Sequence, residues 1–240
     1  MRTIIDFLTL TYISGYNVPA TQDKLRILFD TYSELQSYIL ASIKNICDKG
    51  IQIFPLQYLV FKTSEISETS LFILSKIVKE KDDNGKYHIE DSSVKTKLDY
   101  LVKNLIKEEY NEQINKFFEN NIDDSRIKDL LVKTISSANR ETIVSLSFKL
   151  QSIAFDKICE DIQLYKNEKS LLEAIATSKT KKHISALIQL IKEHIVTKND
   201  FEYWKSLYER IDEKSISAKD KRIIQTVLDA ESEEEKEQIA

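Results

Sequence analysis

No glycine or proline occurs anywhere between Lys86 and Ala240. Tight chain reversals lean on these two residues, because glycine reaches positive φ without strain and proline fixes φ at a turn value. So long a stretch without either is not a series of hairpins, and reads as helix after helix. The whole chain of 240 residues holds only 3 Gly and 2 Pro. The glycines stand at positions 15, 50 and 85, so no short window holds the three that a dinucleotide fingerprint requires. A phosphate-binding P-loop is excluded on the same ground.

Periodicity sets the expected elements. Residues 3–13 form a short apolar helix or a buried strand. Thr21 caps a helix whose stripe of Leu25, Leu28, Tyr32, Leu35, Ile39, Ile43 and Ile46 covers about six turns and closes at Gly50. Residues 51–61 contain Pro55 and read as a strand and turn, or as a buried helix, acting as a hinge or as part of one core. A helix covers residues 64–81. Asp82-Asp83-Asn84-Gly85 is the strongest turn in the chain. It leaves room for at most a minor β-hairpin near residues 78–90.

Beyond Ser92, the stripe from Val94 through Leu98, Leu101, Leu105, Tyr110 and Ile114 to Phe117 implies one helix of about 27 residues. Asp124 and Asn139 cap the next two, the second reaching Tyr165. Four shorter helices follow over residues 168–178, 181–196, 200–213 and 217–230, with caps at Asn167, Thr180, Asn199 and Ser217. Ser217 with Asp220 is close to a capping box. The expected fold is therefore all-α: a multi-helix bundle, or a short irregular helical-repeat stack of HEAT type. A tetratricopeptide reading fails, because Tyr208 falls where a small residue belongs. The expected division is an N-terminal helical region over residues 1–90, with a small wing, a helical bundle or stack over 91–230, and an acidic tail over 231–240. A single domain spanning residues 1–230 is the alternative.

Charge and composition narrow the function classes. Lys plus Arg number 35 against 39 Asp plus Glu, a net charge of -4, whereas dedicated nucleic-acid binders are usually basic. The run from Asp229 to Glu237 holds six acidic residues and serves solubility or docking on a basic partner. Asp6 interrupts the apolar start, and no small-residue cleavage site follows, so a cytoplasmic location is expected. No apolar run approaches the roughly 20 residues of a membrane span. Cys47 and Cys159 are too few for a disulfide framework and read as buried, unreactive thiols.

Chemistry-bearing motifs are scarce. His183 and His194 lie about 16 Å apart along one helix and do not share a metal. No nucleophile elbow, zinc-protease helix or paired-cysteine spacing occurs, so no cofactor, metal or catalytic residue is assigned. Two features stand out. Lys179, Lys181, Lys182 and His183 surround a predicted helix start, where cations oppose the helix dipole and free N–H groups receive anions, so they form a candidate anion site or a solvated basic turn. Phe201, Trp204, Leu207 and Tyr208 share a helical face, which is either core or a partner interface.

Together these features lead to the expectation of a non-catalytic helical protein–protein interaction module, a subunit or scaffold of a larger assembly, whose partner is another protein or a second copy. A nucleic-acid-associated protein, using a winged-helix-like N-terminal half or the basic patch near residues 179–183, is the alternative. An enzyme with catalytic residues dispersed in sequence is the second.

Overall fold

The helix propensity read from the sequence is realised among the described residues. The computed structural model describes residues 1–51, 56–196 and 200–239, without the side chains of Gln57, Val196 and residues 231–239. Among the described residues there are 14 α-helices and no strand, so the fold is all-α. Two compact units compose the chain, Met1–Leu130 and Leu131–Ala240.

The first unit holds α1 (Arg2–Ile13), α2 (Val18–Thr31), α3 (Gln36–Asp48), α4 (Leu59–Lys62), α5 (Glu68–Ile77), α6 (Asp91–Lys103) and α7 (Glu108–Asn121). Helix α1 packs on α2 and α3, α3 packs on α5, and α5 packs on α7. Ile5, Leu25, Phe29, Ile39, Ile43, Leu74 and Phe118 fill the interior. Helix α8 (Ser125–Ser136) carries the boundary between the units.

The second unit continues with α9 (Arg140–Val144), α10 (Phe148–Cys159), α11 (Lys169–Ala176), α12 (Lys181–Val196), α13 (Phe201–Glu209) and α14 (Ala218–Ile239). Helix α12 is its centre, touching α10, α11, α13 and α14, and it buries Ile184, Leu187, Leu190 and Ile191.

Three expected long helices are broken, each without glycine or proline. The stripe from Leu25 to Ile46 stops at Tyr32, which is extended (φ -126, ψ 96), and resumes after a 3-10 turn at Ser33–Leu35. Gln36 donates to the Phe29 carbonyl across the break (3.2 Å), and the bend lets α2 and α3 both pack on α1. The stripe from Val94 to Phe117 breaks after Lys103. There Asn104 donates to the Tyr100 carbonyl at 2.8 Å and Asn111 to the Leu105 carbonyl at 2.7 Å. Side-chain amides thereby take over carbonyls that helix N–H groups would have claimed. The element expected from Asn139 to Tyr165 becomes the short α9, then α10 capped by Ser147, then a 3-10 turn at Ile162–Tyr165.

Local capping signals fare better, except at Thr21, which lies inside α2 with its hydroxyl donating to the Asn17 carbonyl at 3.1 Å. Asn139 accepts from the Thr142 N–H at 2.8 Å, and Asp124 from the Ile127 N–H at 3.2 Å. Ser217 accepts from the Asp220 N–H at 3.1 Å while its hydroxyl donates to the Asp220 carboxylate at 2.6 Å. Helix α11 starts one residue later than expected, after Glu168 instead of Asn167. The Asn199 cap, Pro55 and the side chains of the acidic tail over 231–240 lie outside the described residues.

The turn at Asp82–Gly85 closes a single isolated bridge between Lys81 and Tyr87. Gly85 takes φ +77, a conformation that a side chain would strain. Asp82 Oδ1 accepts the N–H groups of Asn84 (2.9 Å) and Lys86 (2.8 Å). Arg126 holds this segment from the far side. Its Nη1 donates to the Val78 carbonyl (2.7 Å), its Nη2 to the Ile89 carbonyl, and its Nε to Asp91 (2.6 Å). The guanidinium lies over the Tyr87 ring, 4.0 Å from its centre.

Candidate functional site

The basic turn at residues 178–183 is organised by a fully buried histidine. His183 Nδ1 bonds the Ser178 hydroxyl at 2.8 Å, and that oxygen also accepts the Thr180 N–H at 3.2 Å. His183 Nε2 lies 3.4 Å from Asp156 Oδ1, and Lys182 donates to the same oxygen at 2.9 Å. The imidazole meets the Phe155 ring edge-on at 5.7 Å. Burial holds the His183 pKa below its ordinary value, against the upward pull of Asp156. The Lys182 hydrogen bond holds the Asp156 carboxyl below its ordinary range.

Serine, histidine and aspartate in a row are the ingredients of nucleophilic catalysis. A cavity of about 430 Å³, lined by Phe148, Gln151 and Ser152, adjoins Ser178. The local geometry favours a structural role. Ser178 closes the start of α12, His183 reaches back to it from the first turn, and the carboxylate that would orient the histidine is already held by Lys182. Lys182 and His183 converge on a carboxylate, which would repel an anion from that side. Lys179 and Lys181 are exposed. Of the four residues of the expected anion site, Lys179 and His183 line this cavity, while Lys182 is engaged by Asp156.

The aromatic face of α13 is largely turned into its own unit. Trp204 and Leu207 are buried, and Trp204 stacks on His194 at 4.5 Å, with ring planes 7° apart. Phe201 and Tyr208 are half-buried at the edge. Tyr203, which the spacing places off this face, meets Trp204 edge-on, and Lys169 lies 4.6 Å over its ring.

The winged-helix elements are likewise engaged internally. Arg126 anchors the turn, and Lys81 lies over Tyr87 at 4.6 Å.

A larger apolar surface occurs where periodicity alone does not decide. Helix α1 is apolar on two sides. Ile5, Leu8 and Tyr12 face the core, while Ile4 (53% exposed), Phe7 (68%) and Leu10 (65%) form a second stripe at three-residue spacing, open to solvent. Met1 precedes it at the same spacing and is also exposed. Its borders are Arg2, which lies over the Tyr38 ring at 5.4 Å, and Asp6, which accepts from the Tyr38 hydroxyl at 2.6 Å. These contacts fix the rotation of α1 about its axis, and so fix which apolar face is left outside. The only sequence signal for the stripe was the all-round apolarity of residues 3–13.

Among the described residues no group of three or more metal-ligating side chains occurs. No described helix is long and apolar enough to cross a membrane. Burial pushes both cysteine thiols up to about 11, which keeps them protonated at neutral pH. No protein-family model, curated protein or solved structure matches the chain.

Proposed function

We propose that the protein acts by holding another protein, as a helical interaction module, through the outer face of α1. The observation that carries this reading is the solvent-facing stripe of Ile4, Phe7 and Leu10 on a helix whose opposite face already supplies the core. Isolated exposed apolar residues are ordinary, but a row of large ones along a single helix is the usual mark of an interface. Burying one such side chain is worth roughly 1.5–3 kcal/mol, so the three together offset much of the roughly 4–15 kcal/mol that association costs, and the surface around them supplies the rest. The partner presents a complementary apolar groove or helix face. Replacing Phe7 by a photo-cross-linking phenylalanine analogue tests this directly. The expected product is one discrete protein adduct from native cells. Absence of any adduct at position 7, with efficient cross-linking at a core-edge control, would remove the basis of the proposal.

A further inference from the structure

A second surface, distinct from the α1 stripe, differs from it in chemistry. A groove of about 550 Å³ runs between α5 and α7, with Lys44 of α3 contributing to its wall. Its contributors span residues 68–79 on one side and 112–121 on the other. Each stretch is about three helical turns, or roughly 15 Å. The apolar part is Leu71, Phe72 and Phe117, with Leu71 and Phe117 largely buried and Phe72 partly open.

The charged lining is unbalanced. Four lysines, Lys44, Lys76, Lys79 and Lys116, meet two glutamates, Glu68 and Glu112, a net of +2 on a chain whose own net charge is -4. Lys44 and Lys76 both lie over the Phe72 ring, at 4.8 and 5.3 Å from its centre. Lys44 is paired with Asp48 at 2.9 Å. Among the described residues, Lys76, Lys79 and Lys116 have no carboxylate within ion-pair distance. Lysines at the end of α5 suit its dipole, but that effect fades within one turn and does not account for Lys44 or Lys116. Like charges gathered around an apolar trough repel one another, and an anionic occupant relieves that repulsion.

We infer that the α5–α7 groove receives an acidic amphipathic helix of a partner protein, its apolar face on Phe72, Phe117 and Leu71 and its carboxylates among Lys76, Lys79 and Lys116. Length, apolar floor and charge each match that occupant, since helix-in-groove recognition uses anchors over two to three turns with flanking charge for register. The two glutamates in the lining disfavour a uniformly anionic polymer such as a nucleic acid. This surface does not depend on the α1 stripe, so either can fail alone.

The test uses the full chain and three synthetic helices of roughly 20 residues. The first has leucines at core heptad positions and glutamate elsewhere, the second has the same leucines with lysine, and the third has the glutamates with serine replacing leucine. Binding is read by fluorescence anisotropy in low salt and in about 0.3 M salt. The acidic amphipathic peptide should bind and weaken with salt, and the other two should bind at least roughly tenfold more weakly. The double variant Lys79→Glu/Lys116→Glu, its helicity checked by circular dichroism, should lose binding by a similar factor, while Phe7→Glu should retain it. No binding of the acidic peptide, equal binding of the lysine peptide, or full retention by the double variant would overturn the inference. So would a concentration-dependent dimer that the double variant dissolves, which would give the groove to a second copy. Tripolyphosphate binding lost in the double variant, without peptide binding, would give it to a small anion.

Discussion

Arg126 and Asp91 are joined by a 2.6 Å hydrogen bond in which one partner is buried and the other is not: the arginine side chain is 5% exposed, the aspartate 66%. Coulomb attraction to an exposed carboxylate is modest. The weight of the arrangement therefore rests on the other side of the guanidinium, where the Val78 and Ile89 carbonyls have taken its N–H groups in a buried setting. Removing the guanidinium strands both acceptors at once, and each stranded group costs about 1–3 kcal/mol.

Arg126→Met should accordingly destabilise the protein by about 3–5 kcal/mol, and Asp91→Asn by about 1 kcal/mol or less. Arg126→Lys should resemble the methionine variant, because a single ammonium cannot reach three acceptors in a planar fork. Urea unfolding followed by circular dichroism separates these outcomes. Equal effects of the Asp91 and Arg126 changes would mean that the ion pair dominates.

The buried His183 sets an acid limit. In the unfolded chain its imidazole protonates near its ordinary value of 6.5, whereas the folded imidazole resists protonation down to a lower pH. Between those two values the unfolded state binds more protons, so stability falls as pH falls through that window. The groups facing the ring are Ser178, Asp156, Lys182 and Phe155, and of these only Asp156 favours the charged form. Asp156 itself contributes stability that is lost only below its ordinary value of 3.8, a separate and more acidic window. His183→Gln should flatten the stability profile below pH 6.5, relative to wild type. Parallel profiles would show that His183 titrates freely in the fold.

Lys97 acts with the same sign at the alkaline end. It donates to the buried Thr63 carbonyl at 2.7 Å, and burial pushes its pKa down to about 8, with Glu65 partly opposing. Between about 8 and its ordinary value of 10.5 the unfolded lysine is charged and the folded one is neutral, so stability rises with pH across that range. Wild type should gain on Lys97→Met there, with a slope approaching about 1.4 kcal/mol per pH unit. A constant difference between the two proteins from pH 7 to 10 would contradict this.

Both thiols should be slow to react. With pKa values near 11, Cys47 and Cys159 are almost wholly protonated at pH 7.5. Native protein should consume a thiol reagent much more slowly than urea-unfolded protein. Equal rates would show that the thiols are open to solvent.

What the sequence made legible was local. Asn139, Asp124 and Ser217 act within three residues of themselves, and their capping roles are readable from spacing alone. The helix class followed from the missing glycines and prolines. The breaks at Tyr32 and after Lys103 were not legible, because they are made by Gln36, Asn104 and Asn111 side chains claiming backbone carbonyls, not by residues that forbid helix. Arg126 was invisible for a different reason: its three acceptors lie between 35 and 48 residues away. The face of α13 follows the same logic, since His194 of the preceding helix stacks on Trp204 and turns it inward. The α1 stripe shows the converse. Sequence gave apolarity on every side, and only the packing of α2 and α3 decides that Phe7 faces out and Leu8 faces in.

The most direct measurement of the central claim is a matched pair of tagged purifications from native cells at low salt, wild type against Phe7→Glu, with quantitative mass spectrometry of everything retained. One protein should be recovered in near-stoichiometric amount with wild type and lost with Phe7→Glu, whose thermal unfolding is unchanged because Phe7, 68% exposed, contributes nothing to the core. Equal recovery with both forms, or a wild-type protein that retains no partner at all, would contradict the assignment of the α1 face as an interface.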